Sequence, residues 1–207
     1  MTVTTDLRQL LELPSGPART AALASWLQSL YPPRERRPIL VGGAAVELYT
    51  GGAYTTGDLD FVGSVPPAVA KSLSAAGFTK VGRHWVHESA KVFLEFPGTD
   101  LEPSPEPVEH RFGGRRVTII PIEGLLADRL AAWKFWKSGV DAVNALLLLR
   151  SSSFPTDLNL ARDLSRILEV DDELERLIRW HERLAGRFPS QREIEEWLDA
   201  AREKERL

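Results

Sequence analysis

The 207-residue chain contains no cysteine and a single methionine. The first absence excludes disulfides, a thiolate nucleophile and cysteine ligands for zinc, and it suits a reducing cytosol. Long apolar runs are missing too. The longest, in "NALLLLR", is far too short to cross a bilayer, and the opening "MTVTTDLRQLLELP" lacks the basic region of a secretory signal. The expectation is a soluble, cytoplasmic protein. A charge excess of either sign is also lacking, because 26 basic and 29 acidic residues leave a formal net charge of −3. Nothing global marks a nucleic-acid partner, and the short clusters Arg34, Arg36, Arg37 and Arg115, Arg116 read first as solvated surface with some capacity for phosphate.

What is present suffices for a real core, in one domain with an appendage or in two small domains. "PARTAALASWLQSLY" has apolar residues at helical spacing, opens with proline and stops at Pro32-Pro33. "PILV" reads as a strand broken by Gly42-Gly43, "AAVELY" as a short helix, "DLDFV" as a second strand and "PPAVAKSLSAAG" as a helix opened by proline and closed by glycine. Five short β-rich segments follow between Phe78 and Pro121, with "FGGR" a hairpin turn and "PGTDLEPSPEP" a loop. From Glu123 onward every segment has helical periodicity. Strands first and helices after predict an α/β (α+β) domain over residues 1–122, built on a mixed sheet with flanking helices, then a helical bundle over 123–207.

The stretch "LVGGAAVELYTGGAYTTGDLDFV" concentrates the chemistry. In a strand, Asp58 and Asp60 face the same way with their backbones about 7 Å apart. Two carboxylates so placed repel unless they are wet or share a cation, and the apolar Leu59, Phe61 and Val62 argue against full hydration. Mg²⁺ fits such a pair, since it is commonly held by one or two carboxylates together with substrate phosphates. Gly42-Gly43, at a strand-to-helix turn, lets backbone approach a ligand, and the amides of the following helix favour an anion. Glu95, an acid inside the apolar strand "KVFLEF", has its own need for a partner and is the candidate third carboxylate; Asp100, in the loop after it, is weaker. A metal beside a phosphate cradle describes a nucleoside triphosphate site with in-line attack on phosphorus. The chain contains neither Gly-x-Gly-x-x-Gly nor a P-loop, and an EF-hand reading fails because Val62 and Val69 occupy ligand positions.

These residues resemble the signature of the nucleotidyltransferase superfamily that includes DNA polymerase β, and most closely its minimal members related to the AbiEii toxin. The pattern is Gly-Gly, a short helix, a hydroxyl residue and Asp-hydrophobic-Asp. "VFLEF" and the helix "DRLAAWKFW" extend the likeness over about residues 38–146. The resemblance implies metal-binding acids at Asp58, Asp60 and Glu95, and a phosphate-approaching turn at Gly42 and Gly43. It places Thr56 at the hydroxyl position and nucleotide contacts at Asp128, Arg129 and Lys134. It implies Mg²⁺ or Mn²⁺, an NTP substrate, and transfer of a nucleoside monophosphate to an acceptor such as tRNA, a protein or a small molecule, with a toxin or antitoxin as partner. The chain departs from that pattern at Tyr54, where many relatives carry arginine, and in having glutamate rather than aspartate as third acid. From the residues alone, Asp128 and Arg129 read equally well as structural ion pairs. Trp133 and Trp136 read as packing, and His84, His87, His110 and His181 as structural. The competing expectation is a nucleotidyltransferase fold without turnover, acting as a binding or regulatory protein.

Overall fold

Local sequence sets each element, and its burial pattern sets where it goes. The computed structural model describes residues 3–101 and 105–204. Along the chain the helices are α1 (Val3–Leu11), α2 (Pro17–Ser29), α3 (Gly42–Tyr49), α4 (Pro67–Ala75), α5 (Ile122–Trp136), α6 (Gly139–Leu149), α7 (Leu158–Ile167), α8 (Asp171–Arg183) and α9 (Gln191–Lys204). The strands are β1 (Ile39–Val41), β2 (Asp58–Val62), β3 (Thr79–Val81), β4 (His84–His87), β5 (Val92–Gly98), β6 (Val108–Phe112) and β7 (Arg115–Ile119). Prolines open α2 and α4 at their first turns, and the β6–β7 hairpin turns at Gly113-Gly114. Helix α1 lies in a stretch from which no helix was expected. Part of the predicted loop, residues 102–104, and the last three residues of the final predicted helix lie outside the described residues.

The chain divides into two compact units, Met1–Pro121 and Ile122–Leu207. The first is built on a seven-stranded mixed sheet in the order β3-β4-β5-β2-β1-β7-β6. Strand β1 pairs antiparallel with β2 and parallel with β7, while β2 runs parallel with β5. Leu40, Phe61, Leu94 and Ile119 of the central strands are at most 1% exposed and form the core with Leu23 and Leu27 of α2. Gln28 docks α2 onto the sheet. Its Nε2 donates to the carbonyls of Pro38 (2.9 Å) and Thr118 (2.7 Å), and its Oε1 accepts from the Thr118 amide (2.9 Å). A buried amide satisfied at both ends is worth keeping, because each orphaned group costs about 1–3 kcal/mol.

The second unit is helical. Ser138 caps α6, and Asp157 caps α7 by accepting from the Asn159 and Leu160 amides. Trp197 of α9 stacks on Trp180 of α8 with ring centroids 4.2 Å apart, and its other neighbour is Trp133 of α5 at 4.6 Å. Trp133 is thus a packing residue, as read from the sequence, whereas Trp136 is 82% exposed. Among the described residues, no helix is long and apolar enough to cross a membrane.

Replacing Gln28 by Leu keeps the volume but strands the Thr118 amide and two carbonyls. We expect the folded state to lose about 2–4 kcal/mol, measured as the midpoint shift in urea denaturation of the whole chain.

Candidate functional site

The site is built where β1 ends. Gly42 follows Val41 at a positive φ of 63°, and its neighbour across the β1–β2 ladder is Asp60, paired in register with Val41. A Cβ on Gly42 would lie 2.2 Å from Asp60 Oδ2. The Asp60 carboxylate therefore rests against the bare α-carbon of Gly42, and glycine is required both by space and by backbone conformation. Gly43 is crowded from the returning loop: a Cβ there would stand 3.2 Å from both Thr56 Oγ1 and Tyr54 Cε1. Tyr54, at the position where the resemblance implies arginine, thus stands against the glycine bend. Thr56 Oγ1 accepts from the Asp58 amide at 3.4 Å. Val41, the residue before α3, gives that helix no side-chain cap, so its first-turn amides keep the electropositive character of a helix start.

Strand β5 brings Glu95 into register with Asp60, and Phe93 into register with Asp58. On a pleated sheet, residues in register share a face. Asp58 is exposed, Asp60 is half-buried, and Leu59, Phe61 and Val62 between and beyond them are buried, as their apolar character predicts. Glu95 departs from the expected arrangement. Its Oε1 is 2.6 Å from Arg83 Nε and its Oε2 is 3.2 Å from His84 Nε2. Among the described residues, no group of three or more His, Cys, Asp or Glu side chains is arranged to hold a metal ion. The physical reason is that β4 pairs His84 directly with Glu95 and the turn before it brings the Arg83 guanidinium alongside, so this carboxylate finds its partners within the protein itself. His84, read as structural from the sequence, stands beside the candidate site. Its signal was its place in an alternating β segment, and only strand pairing shows which acid it meets. Asp100 is exposed and accepts from Thr99 Oγ1 in the loop after β5.

The other three expected residues lie on α5 of the helical unit. Arg129 is paired with Asp128 and, at 2.7 Å, with Asp141 of α6. Burial, the largest influence, works against the Arg129 charge, and Asp128 and Asp141 together more than offset it. Lys134 Nζ donates to the Glu169 carbonyl and lies 3.3 Å from Glu173 Oε2. These side chains have structural partners inside their own unit, the alternative that the sequence left open for Asp128 and Arg129.

Sequence reasoning passed over Glu47. It lies on α3 at 1% exposure, and its Oε2 accepts from Thr20 Oγ1 of α2 at 2.8 Å. Burial pushes its pKa up, opposed by the Thr20 hydroxyl and the Thr56 backbone amide. The signal was an acid in the otherwise apolar helix "AAVELY". Glu47 links the helix behind the glycine bend to α2.

With this geometry in place, the chain can be set beside known proteins. No family model and no curated protein matches it. Among solved structures, an antigenic nucleotidyltransferase-like protein from Paracoccidioides brasiliensis superposes with a TM-score of 0.53 at 16% identity, over 81% of this chain and 95% of that one. The antibiotic-resistance factor ANT(2'')-Ia superposes with a TM-score of 0.49 at 14% identity, over 86% and 99% of the two chains. The first of these likenesses shows the fold: a mixed α/β architecture of the nucleotidyltransferase type.

Two measurements test this construction. Gly42→Ala should destabilise the protein by about 1–3 kcal/mol, and in an Asp60→Ala background the same change should cost clearly less, because one clash is gone; a double-mutant cycle by chemical denaturation reads the difference. For Glu47, a carboxyl pKa raised by folding means that stability rises as pH falls through the folded-state value, and the gain is complete below the unfolded-state value. Glu47→Gln should remove that slope. In thermal melts from pH 8 to 4, the advantage of the variant over the parent should shrink as the pH drops.

Proposed function

We propose that the protein is a metal-dependent nucleotidyltransferase that moves a nucleoside monophosphate from an NTP to an acceptor hydroxyl and releases pyrophosphate. The observation that carries the reading is the seating of the Asp60 carboxylate on Gly42, which joins an acid pair to a helix start that its own N-cap residue, Val41, leaves without a side-chain cap. Asp58 and Asp60 supply the hard oxygen donors that Mg²⁺ or Mn²⁺ favours, two carboxylates being a common protein share of such a site. When bound, the cation would lend Lewis acidity at the reacting phosphate oxygens. Gly42 and Gly43 leave room for the triphosphate to approach backbone amides, and Thr56 holds the Asp58 amide, which fixes the start of the acid strand. Glu95 serves as base for the acceptor hydroxyl only where its bridges to Arg83 and His84 open. Asp128, Arg129 and Lys134 we assign to the integrity of the helical unit, on the strength of their ion pairs.

A second reading has a specific observation behind it. The occupation of Glu95 by Arg83 and His84, together with Tyr54 against the glycine bend, suits a fold that binds a nucleotide or a partner without turnover, as a regulatory or antitoxin-like protein would. Titration calorimetry with Mg²⁺ and each NTP, followed by incubation with labelled NTPs and total cellular RNA and protein, separates the two. Transfer of label supports the enzyme, and binding without transfer supports the alternative.

The Asp58→Asn, Asp60→Asn double variant should lose transfer altogether. Without metal it should melt at or above the parent temperature, because repulsion between the two acids is relieved. Full activity of that variant with NTP and Mg²⁺ would overturn the mechanism.

A further inference from the structure

The end of the sheet opposite the glycine bend carries a charge pattern that the proposed chemistry does not use. Strand β1 begins there, next to the start of β7 and the ends of β2, β5 and β6, because β7 is parallel to β1, β2 is antiparallel to β1, β5 is parallel to β2 and β6 is antiparallel to β7. Six exposed arginines collect at this end: Arg34, Arg36 and Arg37 before β1, Arg115 and Arg116 opening β7, and Arg111 in register with Arg116. Among the described residues, three carboxylates stand against them, Glu35, Asp100 and Glu109. Glu109 is shared, lying 3.6 Å from Arg37 Nη1 and 3.4 Å from Arg116 Nη1, while Asp100 is engaged by Thr99. Two residues dispersed in sequence, Arg37 and Arg116, are thereby shown to be neighbours. In a chain whose net charge is −3, this is a local reversal of sign.

The form of the patch limits its partner. Neighbouring strands are about 4.8 Å apart and successive side chains alternate between faces, so Arg115 and Arg116 carry charge around both sides of the sheet end rather than onto one flat face. Arg36 and Arg37 also line a cavity of about 220 Å³ with Ser64, Thr99 and the acid Asp100, of a size for a single phosphate group rather than a nucleotide. Among the described residues, the large exposed apolar side chain toward this end is Val81, which closes β3 at the opposite edge of the sheet, four strands from β1; this disfavours a membrane surface, where apolar insertion accompanies basic contacts. Guanidinium groups in a row suit a chain of phosphates, contacted through its backbone without reading of bases.

We propose that this arginine-bearing sheet end is a docking surface for the phosphodiester backbone of a nucleic acid. The surface stands apart from Asp58 and Asp60: Asp60 is level with Val41, and Arg37 lies four residues earlier, about 13 Å back along the strand direction. Its occupancy does not depend on whether the acid pair transfers anything.

The test is fluorescence anisotropy of the full chain with end-labelled 20-nucleotide single-stranded RNA, single-stranded DNA and duplex DNA over a salt series, and with phosphatidylserine vesicles as a separate arm. We expect micromolar binding to at least one nucleic acid at low salt, falling steeply as salt rises, and which polymer binds identifies the source of the backbone. The variant Arg36→Gln, Arg37→Gln, Arg115→Gln, Arg116→Gln should bind about tenfold or more weakly with a flatter salt dependence. Glu109→Gln should bind more tightly, because it frees Arg37 and Arg116. Arg192→Gln, in an exposed pair with Glu196 on α9, is the charge control and should bind as the parent does. Circular dichroism and melting check that each variant is folded; if the fourfold variant is not, the Glu109→Gln gain and the two double variants, Arg36→Gln with Arg37→Gln and Arg115→Gln with Arg116→Gln, decide. The inference is overturned if no polymer binds at low salt, if the folded arginine variants bind like the parent, if Glu109→Gln fails to tighten binding, or if the vesicles alone are bound.

Discussion

The contact between the Asp60 carboxylate and the α-carbon of Gly42 is the constraint on which the candidate site depends. A strand residue can approach a helix start this closely only if the helix residue has no Cβ and the chain turns there with positive φ. The β1–β2 register supplies the alignment, by pairing Val41 with Asp60, and the helix that follows supplies the first-turn amides. Buried hydrogen bonds then make the arrangement rigid. Tyr49, at the end of α3, donates to the Ile120 carbonyl at 2.8 Å beyond β7, and Gln28 fastens α2 to β7 and to the lead-in of β1. The end of the helix behind the bend and the lead-in to β1 are thus each tied to the sheet, as a preformed binding site needs.

Carboxylates in the first unit meet three different environments, and each has its own physical resolution. Glu47 is enclosed by helix and loop and keeps a hydroxyl partner. Glu95 is half-buried and balanced by a guanidinium and an imidazole. Asp58 is exposed at the start of its strand, where water screens it. The helical unit follows the same rule, since Arg129 with Asp141 and Lys134 with the nearly buried Glu173 are paired where burial would otherwise penalise the charge. Among the described residues, the arginines at the far end of the sheet outnumber the acids beside them, which is why that end stands out.

Particular residues mark how far the sequence could be read. "DLDFV" as a strand, the glycine bend, the proline-opened helices and the "FGGR" hairpin were legible because each depends on neighbours within a few positions. Helix α1 was missed, and Glu47 was passed over because an acid within a helix of eight residues has no visible partner until α2 folds across it. Glu95 shows the limit from the other side. Its period-2 setting identified an acid in need of a partner, yet the partner it meets comes from β4, through a hairpin register that the two segments do not reveal separately.

By itself the sequence determined the order of the elements after helix α1, the closeness of Asp58 and Asp60 on one face, and a glycine turn between strand and helix, because all three are consequences of short-range geometry. Tertiary structure alone decided that Asp60 rests on Gly42, that Glu95 is claimed by Arg83 and His84, and that Arg37 and Arg116 share Glu109. Those pairings join positions far apart in the chain. Which distant charge a side chain meets is set by strand order and register, and these result from the burial of the whole sheet rather than from any one segment.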